Sequence, residues 1–146
     1  MPSTRPILLV EDNPDDQLLI RRAFAKSNLA NPLQVVGDGD AAIAYLSGAG
    51  VYSDRAGYPL PAIIILDIKL PRRSGLEVLA WVRDQPALQR TPVVMLTSSR
   101  ESEDVNRAYS LGANSYLVKP VAFDGLMEMV KHLGIYWTIM NELPNE

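Results

Sequence analysis

Residues 62–67, Ala-Ile-Ile-Ile-Leu-Asp, form a short apolar run that stops at a carboxylate. Three consecutive β-branched residues without polar alternation, preceded by Pro59 and Pro61, are the pattern of a strand buried on both faces of a parallel sheet. Three further runs end in the same manner. Ile7-Leu8-Leu9-Val10 meets Glu11-Asp12, Val93-Val94-Met95-Leu96 meets Thr97-Ser98, and Tyr116-Leu117-Val118 meets Lys119-Pro120. Open α/β sheets place ligands at the carboxyl ends of their strands. Two carboxylate stations, a hydroxyl and an ammonium are therefore expected at one sheet edge.

The intervening segments read as helices. Asn13 can cap a helix with Pro14 at its first position, Asp15-Asp16 in its first turn, and Leu19, Ile20, Ala23 and Phe24 on one face; it should end near Asn28. Leu33-Gln34-Val35-Val36 is a more polar strand suited to a sheet edge. Gly37-Asp38-Gly39 turns into a helix carrying Ala42, Ile43 and Leu46, and residues 47–61 read as a long surface loop. Leu76, Leu79, Ala80 and the Val82-Arg83 region mark a third helix, ended by Pro86. A cap-rich segment from Ser99 to Glu103 starts a fourth helix that ends near Gly112, and a fifth begins at about Ala122.

Five alternations of strand and helix predict right-handed βαβ units: an α/β doubly wound, five-stranded parallel sheet with helices on both faces. The order 2-1-3-4-5 puts the polar second strand at an edge and makes Asp12 and Asp67 neighbours at the switch point.

A chain of 146 residues suits one domain, and its 47% hydrophobic and 21% charged residues argue against extended disorder. Residues 134–146 read as a C-terminal extension, with no output domain after them. A net charge of -3 lacks the basic excess of a nucleic-acid binder. Absence of cysteine excludes disulfides and thiolate metal sites, and His132, the sole histidine, reads as a half-exposed helix residue. The apolar segments are too short to span a membrane and no signal peptide is evident, so a cytoplasmic protein is expected.

Glu11, Asp12 and Asp67 would repel one another unless a cation or shared protons intervened. An all-oxygen site favours a hard ion such as Mg²⁺, which can bridge carboxylates and phosphate oxygens. An Asp carboxylate beside that ion can attack phosphorus, with Lys119 and the Thr97 hydroxyl neutralising and positioning the transferred oxygens. Lys119 precedes Pro120, which favours an extended backbone that aims its side chain along the edge; a cis peptide is also compatible with the sequence.

These motifs strongly resemble the response-regulator receiver domains of two-component signalling. The resemblance rests on Val10-Glu11-Asp12-Asn13, Leu66-Asp67 with Leu70-Pro71 and Gly75, Leu96-Thr97-Ser98, and Gly112-Ala113 with Tyr116 and Lys119-Pro120, and it spans about residues 5–133. It implies a flavodoxin-like receiver fold and a phosphorelay role: Asp67 accepts a phosphoryl group from a sensor histidine kinase. It further implies Asp12 as a direct Mg²⁺ ligand, Glu11 as a second acid, the Lys69 carbonyl as a further ligand, Thr97 and Lys119 as the phosphate-reading pair, and Tyr116 as the aromatic switch. Glu11 in place of the commoner Asp, Ser74 before Gly75, and the cationic Lys69 depart from the usual pattern. The 47–61 loop and the ending Leu133-Gly134-Ile135-Tyr136-Trp137 look like the small regulators that partner phytochrome-type histidine kinases.

Leu126, Met129, Val130, Leu133, Trp137 and Met140 recur at helical spacing, with Ile135, Tyr136 and Ile139 widening the stripe. A homodimer using Ile135, Tyr136, Trp137 and Met140 is expected. Arg72-Arg73 is a candidate contact for an acidic kinase surface. The rival enzyme reading, an aspartate-nucleophile phosphohydrolase, needs a second acid two residues after the nucleophile, where this chain has Lys69. A flavodoxin-like nucleotide-binding module needs a glycine- or hydroxyl-rich loop where this chain has Glu11-Asp12-Asn13-Pro14.

Overall fold

The computed structural model describes residues 5–27, 31–120 and 122–135. The elements are β1 (Ile7–Val10), α1 (Pro14–Lys26), β2 (Leu33–Val36), α2 (Gly39–Ser47), β3 (Ile63–Leu66), α3 (Gly75–Asp84), β4 (Val93–Thr97), α4 (Ser102–Ser110), β5 (Ser115–Val118) and α5 (Phe123–Ile135). The strands form one parallel sheet in the order β2-β1-β3-β4-β5. This is the flavodoxin-like arrangement expected from the alternation of elements.

Residue parity along each strand sorts the core into two layers. Leu8, Val10, Ile64, Leu66, Val93 and Met95 face α2 and α3, where Tyr45, Leu46, Leu76, Val78, Leu79 and Val82 are buried. Ile7, Leu9, Ile63, Ile65, Val94 and Leu96 face α1 and α5, meeting Ile20, Ala23, Phe24, Leu126 and Val130. Each such side chain contributes roughly 1.5–3 kcal/mol by leaving water, which is why the central strands tolerate no polar position until their last residue. Ala80 lies on the exposed side of α3, and Val78 takes the buried place the sequence reading assigned to it. The helix phase set by Leu79 and Val82 puts Val78, not Ala80, on the stripe.

Register fixes the site. Val10 pairs with Leu66, and Leu66 with Met95, which sets Glu11 and Asp67 level at the exits of β1 and β3 and puts Thr97, the last residue of β4, one residue beyond along the same edge. Backbone bonds carry the ladder one step further, from the Asp67 N–H to the Val10 carbonyl (3.2 Å) and from the Lys119 N–H to the Thr97 carbonyl (2.8 Å).

Residues 47–61 are more ordered than the loop expected there. A 3₁₀ turn, Gly50–Ser53, folds back so that Tyr45, Tyr52 and Tyr58 stack at tilted and edge-to-face angles with centroids 5.0–6.0 Å apart. The Arg55 guanidinium donates to the carbonyls of Tyr45, Leu46 and Tyr58, closing the segment on the end of α2. α1 ends at Lys26 and is capped at Ser27, slightly before Asn28. No peptide bond among the described residues is cis, Lys119-Pro120 included.

Candidate functional site

The site is assembled by the turns that follow the strands. Asn13 caps α1 by accepting from the N–H groups of Asp15 (2.9 Å) and Asp16 (3.2 Å), and its own N–H donates to Glu11 Oε2 at 3.1 Å. The cap thereby holds Glu11 inward and sets the first turn of α1 beside it. Glu11 is 1% exposed and Asp67 is 7% exposed, whereas Asp12 is open to solvent. One oxygen of each carboxylate falls within 4.8 Å of the others, so these three acids can share a single ion. The donor set is wholly oxygen, with no imidazole or thiolate, and fits a hard divalent cation.

Lys119 enters the same space from the end of β5. Its ammonium donates to Glu11 Oε1 at 2.5 Å, Asp67 Oδ2 at 2.9 Å and Asp16 Oδ2 at 2.9 Å. Burial alone would lower the lysine pKa, but hydrogen bonds to Glu11, Asp67 and Asp16 outweigh it and push the value above its ordinary range. Burial pushes the Glu11 carboxyl up, and Lys119 and the Asn13 N–H oppose that rise. The second Asp67 oxygen, Oδ1, lies 3.4 Å from the Lys69 N–H. Asp67 is thus a nearly enclosed carboxylate, oriented through both of its oxygens.

Thr97 is fully buried, with Oγ1 accepting from the Ser99 N–H at 3.3 Å. The Tyr116 hydroxyl donates to the Ser99 carbonyl at 3.0 Å, and burial raises its pKa. The Ser99 hydroxyl donates to Asp104 Oδ2 at 2.6 Å, in the first turn of α4. One residue therefore joins Thr97, Tyr116 and α4.

Of the residues singled out from the sequence, Glu11, Asp12, Asp67, Thr97, Lys119 and Tyr116 lie together at the carboxyl edge, and the Lys69 side chain is exposed beside them. Asp16 and Ser99 were missed as site residues. Asp16 reads as an acid favouring a helix N-terminus and Ser99 as one hydroxyl in a cap-rich segment, both ordinary roles that hide a contact across the fold. Arg72 and Arg73 are paired at the surface with Asp38 (3.6 Å) and Asp40 (3.0 Å), rather than standing free. His132 is 76% exposed, more open than expected, and lies 3.9 Å from Glu128. Ile135 closes α5, and the other proposed dimer residues, Tyr136, Trp137 and Met140, lie outside the described residues. No helix among the described residues is long and apolar enough to cross a membrane.

Comparison with known proteins gives the same picture. Among curated relatives, the "Probable methanogenesis regulatory protein FilR2" of Methanothrix harundinacea is 39% identical over 138 residues, covering 94% of this chain and 86% of that protein. Response regulator Rcp1 of Synechocystis sp. is 38% identical, over 94% of this chain and 92% of Rcp1. The crystal structure of the phosphorylated cyanobacterial phytochrome response regulator RcpA superposes with a TM-score of 0.90 at 36% identity, covering 98% of this chain and all of RcpA (100%). The Mn²⁺-bound form of Rcp1 superposes with a TM-score of 0.87 at 38% identity, covering 97% and 99% of the two chains. The bacteriophytochrome response regulator AtBRR is 48% identical with a TM-score of 0.76, covering 97% and 100%. Receiver domains of this kind are generally signalling proteins that bind a divalent metal at an acidic pocket, which agrees with the carboxylates gathered around Asp67. Residues 7–131 match the model of the response regulator receiver domain, and the chain belongs to that family.

Proposed function

We propose that Asp67 accepts a phosphoryl group from a sensor histidine kinase, and that the resulting charge switches a protein surface built on α4, β5 and α5. The observation that carries this reading is the enclosure of Asp67: a carboxylate with Lys119 2.9 Å from one oxygen and two further acids close enough to share a cation. A purely structural aspartate would be satisfied by the lysine alone. It would have no use for Glu11 and Asp12 beside it, since like charges brought together cost free energy unless a cation repays them.

In the proposed transfer an Asp67 oxygen forms a bond to phosphorus as the P–N bond of the donor phosphohistidine breaks, and the imidazole leaves with its electron pair and takes up a proton. Glu11, Asp12, Asp67 and the Lys69 carbonyl would hold Mg²⁺, which supplies positive charge to the equatorial oxygens of the phosphoryl group. Lys119 supplies a second positive charge and Thr97 a hydroxyl donor. When Thr97 turns its hydroxyl toward the phosphoryl oxygens, the Ser99 N–H loses its acceptor. Because Ser99 also bonds Tyr116 and Asp104, the change reaches β5 and the start of α4. Tyr116 is thereby the proposed switch residue.

The relatives RcpA, Rcp1 and AtBRR support a phytochrome-type histidine kinase as the donor. The whole chain is read as one receiver unit that signals through a partner protein, with a homodimer formed through the terminal apolar stripe at Ile135, Tyr136, Trp137 and Met140. Sedimentation at high concentration, with and without phosphorylation, tests the dimer; monomer under both conditions removes it. A small-molecule phosphohydrolase is not favoured, because the position two residues after Asp67 is an exposed lysine and offers no general acid. The chemistry is tested by transfer from a phytochrome-type kinase autophosphorylated with radiolabelled ATP: label should move to the wild-type chain within minutes, and an Asp67→Asn chain should take none.

A further inference from the structure

The ammonium of Lys119 has three N–H donors, and three carboxylates surround it. Two of them, Glu11 and Asp67, belong to the group that can hold a divalent cation; the third, Asp16, does not. Asp16 stands in the first turn of α1, outside the three-acid group, and is about one-third exposed (34%) while the Lys119 side chain is 15% exposed. Its place is set by the Asn13 cap, which binds the Asp16 N–H, and by the Gln17 amide, which donates to the Glu11 carbonyl. Asp16 is therefore a fixed acceptor for Lys119 outside the cation's own ligands.

A divalent cation seated among Glu11, Asp12 and Asp67 competes for two of the carboxylates that now bind the ammonium, and it repels the ammonium as well. Lys119 must withdraw, and a lysine that withdrew into water would be lost to the phosphoryl oxygens. Resting on the phosphoacceptor reading above, we infer that Asp16 is a positioning residue: it retains Lys119 when the cation takes over Glu11 and Asp67, easing cation entry and keeping the ammonium beside the acceptor. Asp16 does not touch the reacting atoms and acts only through Lys119.

The test is a titration of the full chain with Mg²⁺ alone, followed by backbone amide resonances, which also report that each variant is folded. Asp16→Asn should raise the Mg²⁺ dissociation constant about five- to ten-fold, whereas Asp15→Asn should raise it by less than about two-fold. Asp15 supplies the matched control, since it carries the same charge one residue earlier, is exposed, and makes no ion pair among the described residues. Asp16→Glu should recover most of the affinity. In a Lys119→Met background the effect of Asp16→Asn should shrink to that of Asp15→Asn. Equal effects of the two Asn variants in the wild-type background, or an undiminished Asp16→Asn effect without the lysine, would overturn the inference and reduce Asp16 to one more charge in the field. No Mg²⁺ binding by the wild-type chain would overturn this inference and the phosphoacceptor reading together, while normal binding with equal Asn variants overturns this inference alone.

Discussion

Gly75 lies against the backbone of Asp67 so closely that a methyl group added at its Cα would stand 1.9 Å from the Asp67 carbonyl oxygen. The Gly75 N–H donates to the Ile68 carbonyl at 2.8 Å, and Ser74 caps α3 by accepting from the Glu77 N–H. The start of α3 therefore braces the turn that carries the acceptor.

Gly75→Ala should cost about 1–3 kcal/mol or more of stability, because the obstructing atom is buried backbone that cannot rotate away. Urea denaturation measures the loss, and phosphorylation of the folded fraction should also slow as Asp67 is displaced. Gly37→Ala is the control, since nothing lies within 4 Å of the added carbon. It should change stability by no more than about 0.5 kcal/mol.

The Arg83 guanidinium holds the carboxyl end of α3 to the loops around β4 and β5. It donates to the carbonyls of Leu88, Gln89, Thr91 (2.8 Å) and Gly112 (2.7 Å), and to Asn114 Oδ1 (2.9 Å). Arg83→Met removes the hydrogen bonds to all of these acceptors in a partly buried setting, although Asn114 Oδ1 keeps the Val93 N–H and the Leu88 carbonyl keeps the Thr91 N–H. The loss should cost about 2–4 kcal/mol by urea denaturation. Arg83→Lys should recover little of that, because one ammonium cannot span a planar fork of acceptors.

Tyr45 predicts an alkaline limit to stability. Its hydroxyl donates to the Pro59 carbonyl at 2.9 Å, and burial pushes its pKa above the ordinary 10.0, with Arg55 opposing and Tyr52 and Tyr58 adding to the rise. The unfolded chain releases this proton near the ordinary value and the folded chain only above it. The stabilisation is therefore complete below that pH and is lost as pH rises through the folded value. Thermal melts from neutrality upward should show wild type losing stability beyond about pH 10 more steeply than Tyr45→Phe. At neutral pH the Phe variant should be about 0.5–1.5 kcal/mol less stable.

Lys119→Met separates the two roles of the lysine. Removing the ammonium leaves Glu11 and Asp67 without their shared counter-charge, so Mg²⁺ affinity should rise by about ten-fold, while phosphoryl transfer to Asp67 should fall by at least as much. Calorimetry and a timed phosphorylation assay read the two effects. A fall in both would mean that the lysine organises the cation site instead of competing for it.

The sheet was readable because its central strands are buried on both faces, leaving Ile63-Ile64-Ile65-Leu66 no reason to alternate, and because each run stops where the fold needs a polar group. Strand order followed from Leu33-Gln34-Val35-Val36, whose partial exposure at the edge matches its polarity. The acids, Thr97 and Lys119 were readable for the same reason. What stayed hidden depends on contacts distant in sequence: Asp16 meets Lys119 across 103 positions, and Tyr116 meets the Ser99 carbonyl across 17. No local pattern encodes either contact. The 47–61 segment is the long surface loop that its Gly, Ser and Pro signal, but its internal order was not legible, because it comes from three tyrosines and an arginine that find partners only once folded.

The most direct measurement is the intact mass of the chain after incubation with Mg²⁺ and acetyl phosphate. Wild type should gain the mass of one phosphoryl group, stable in acid and labile in base, and the Asp67→Asn chain should gain none. An unmodified wild-type chain, or an Asp67→Asn chain that is phosphorylated to the same extent, would contradict the assignment of Asp67 as the acceptor.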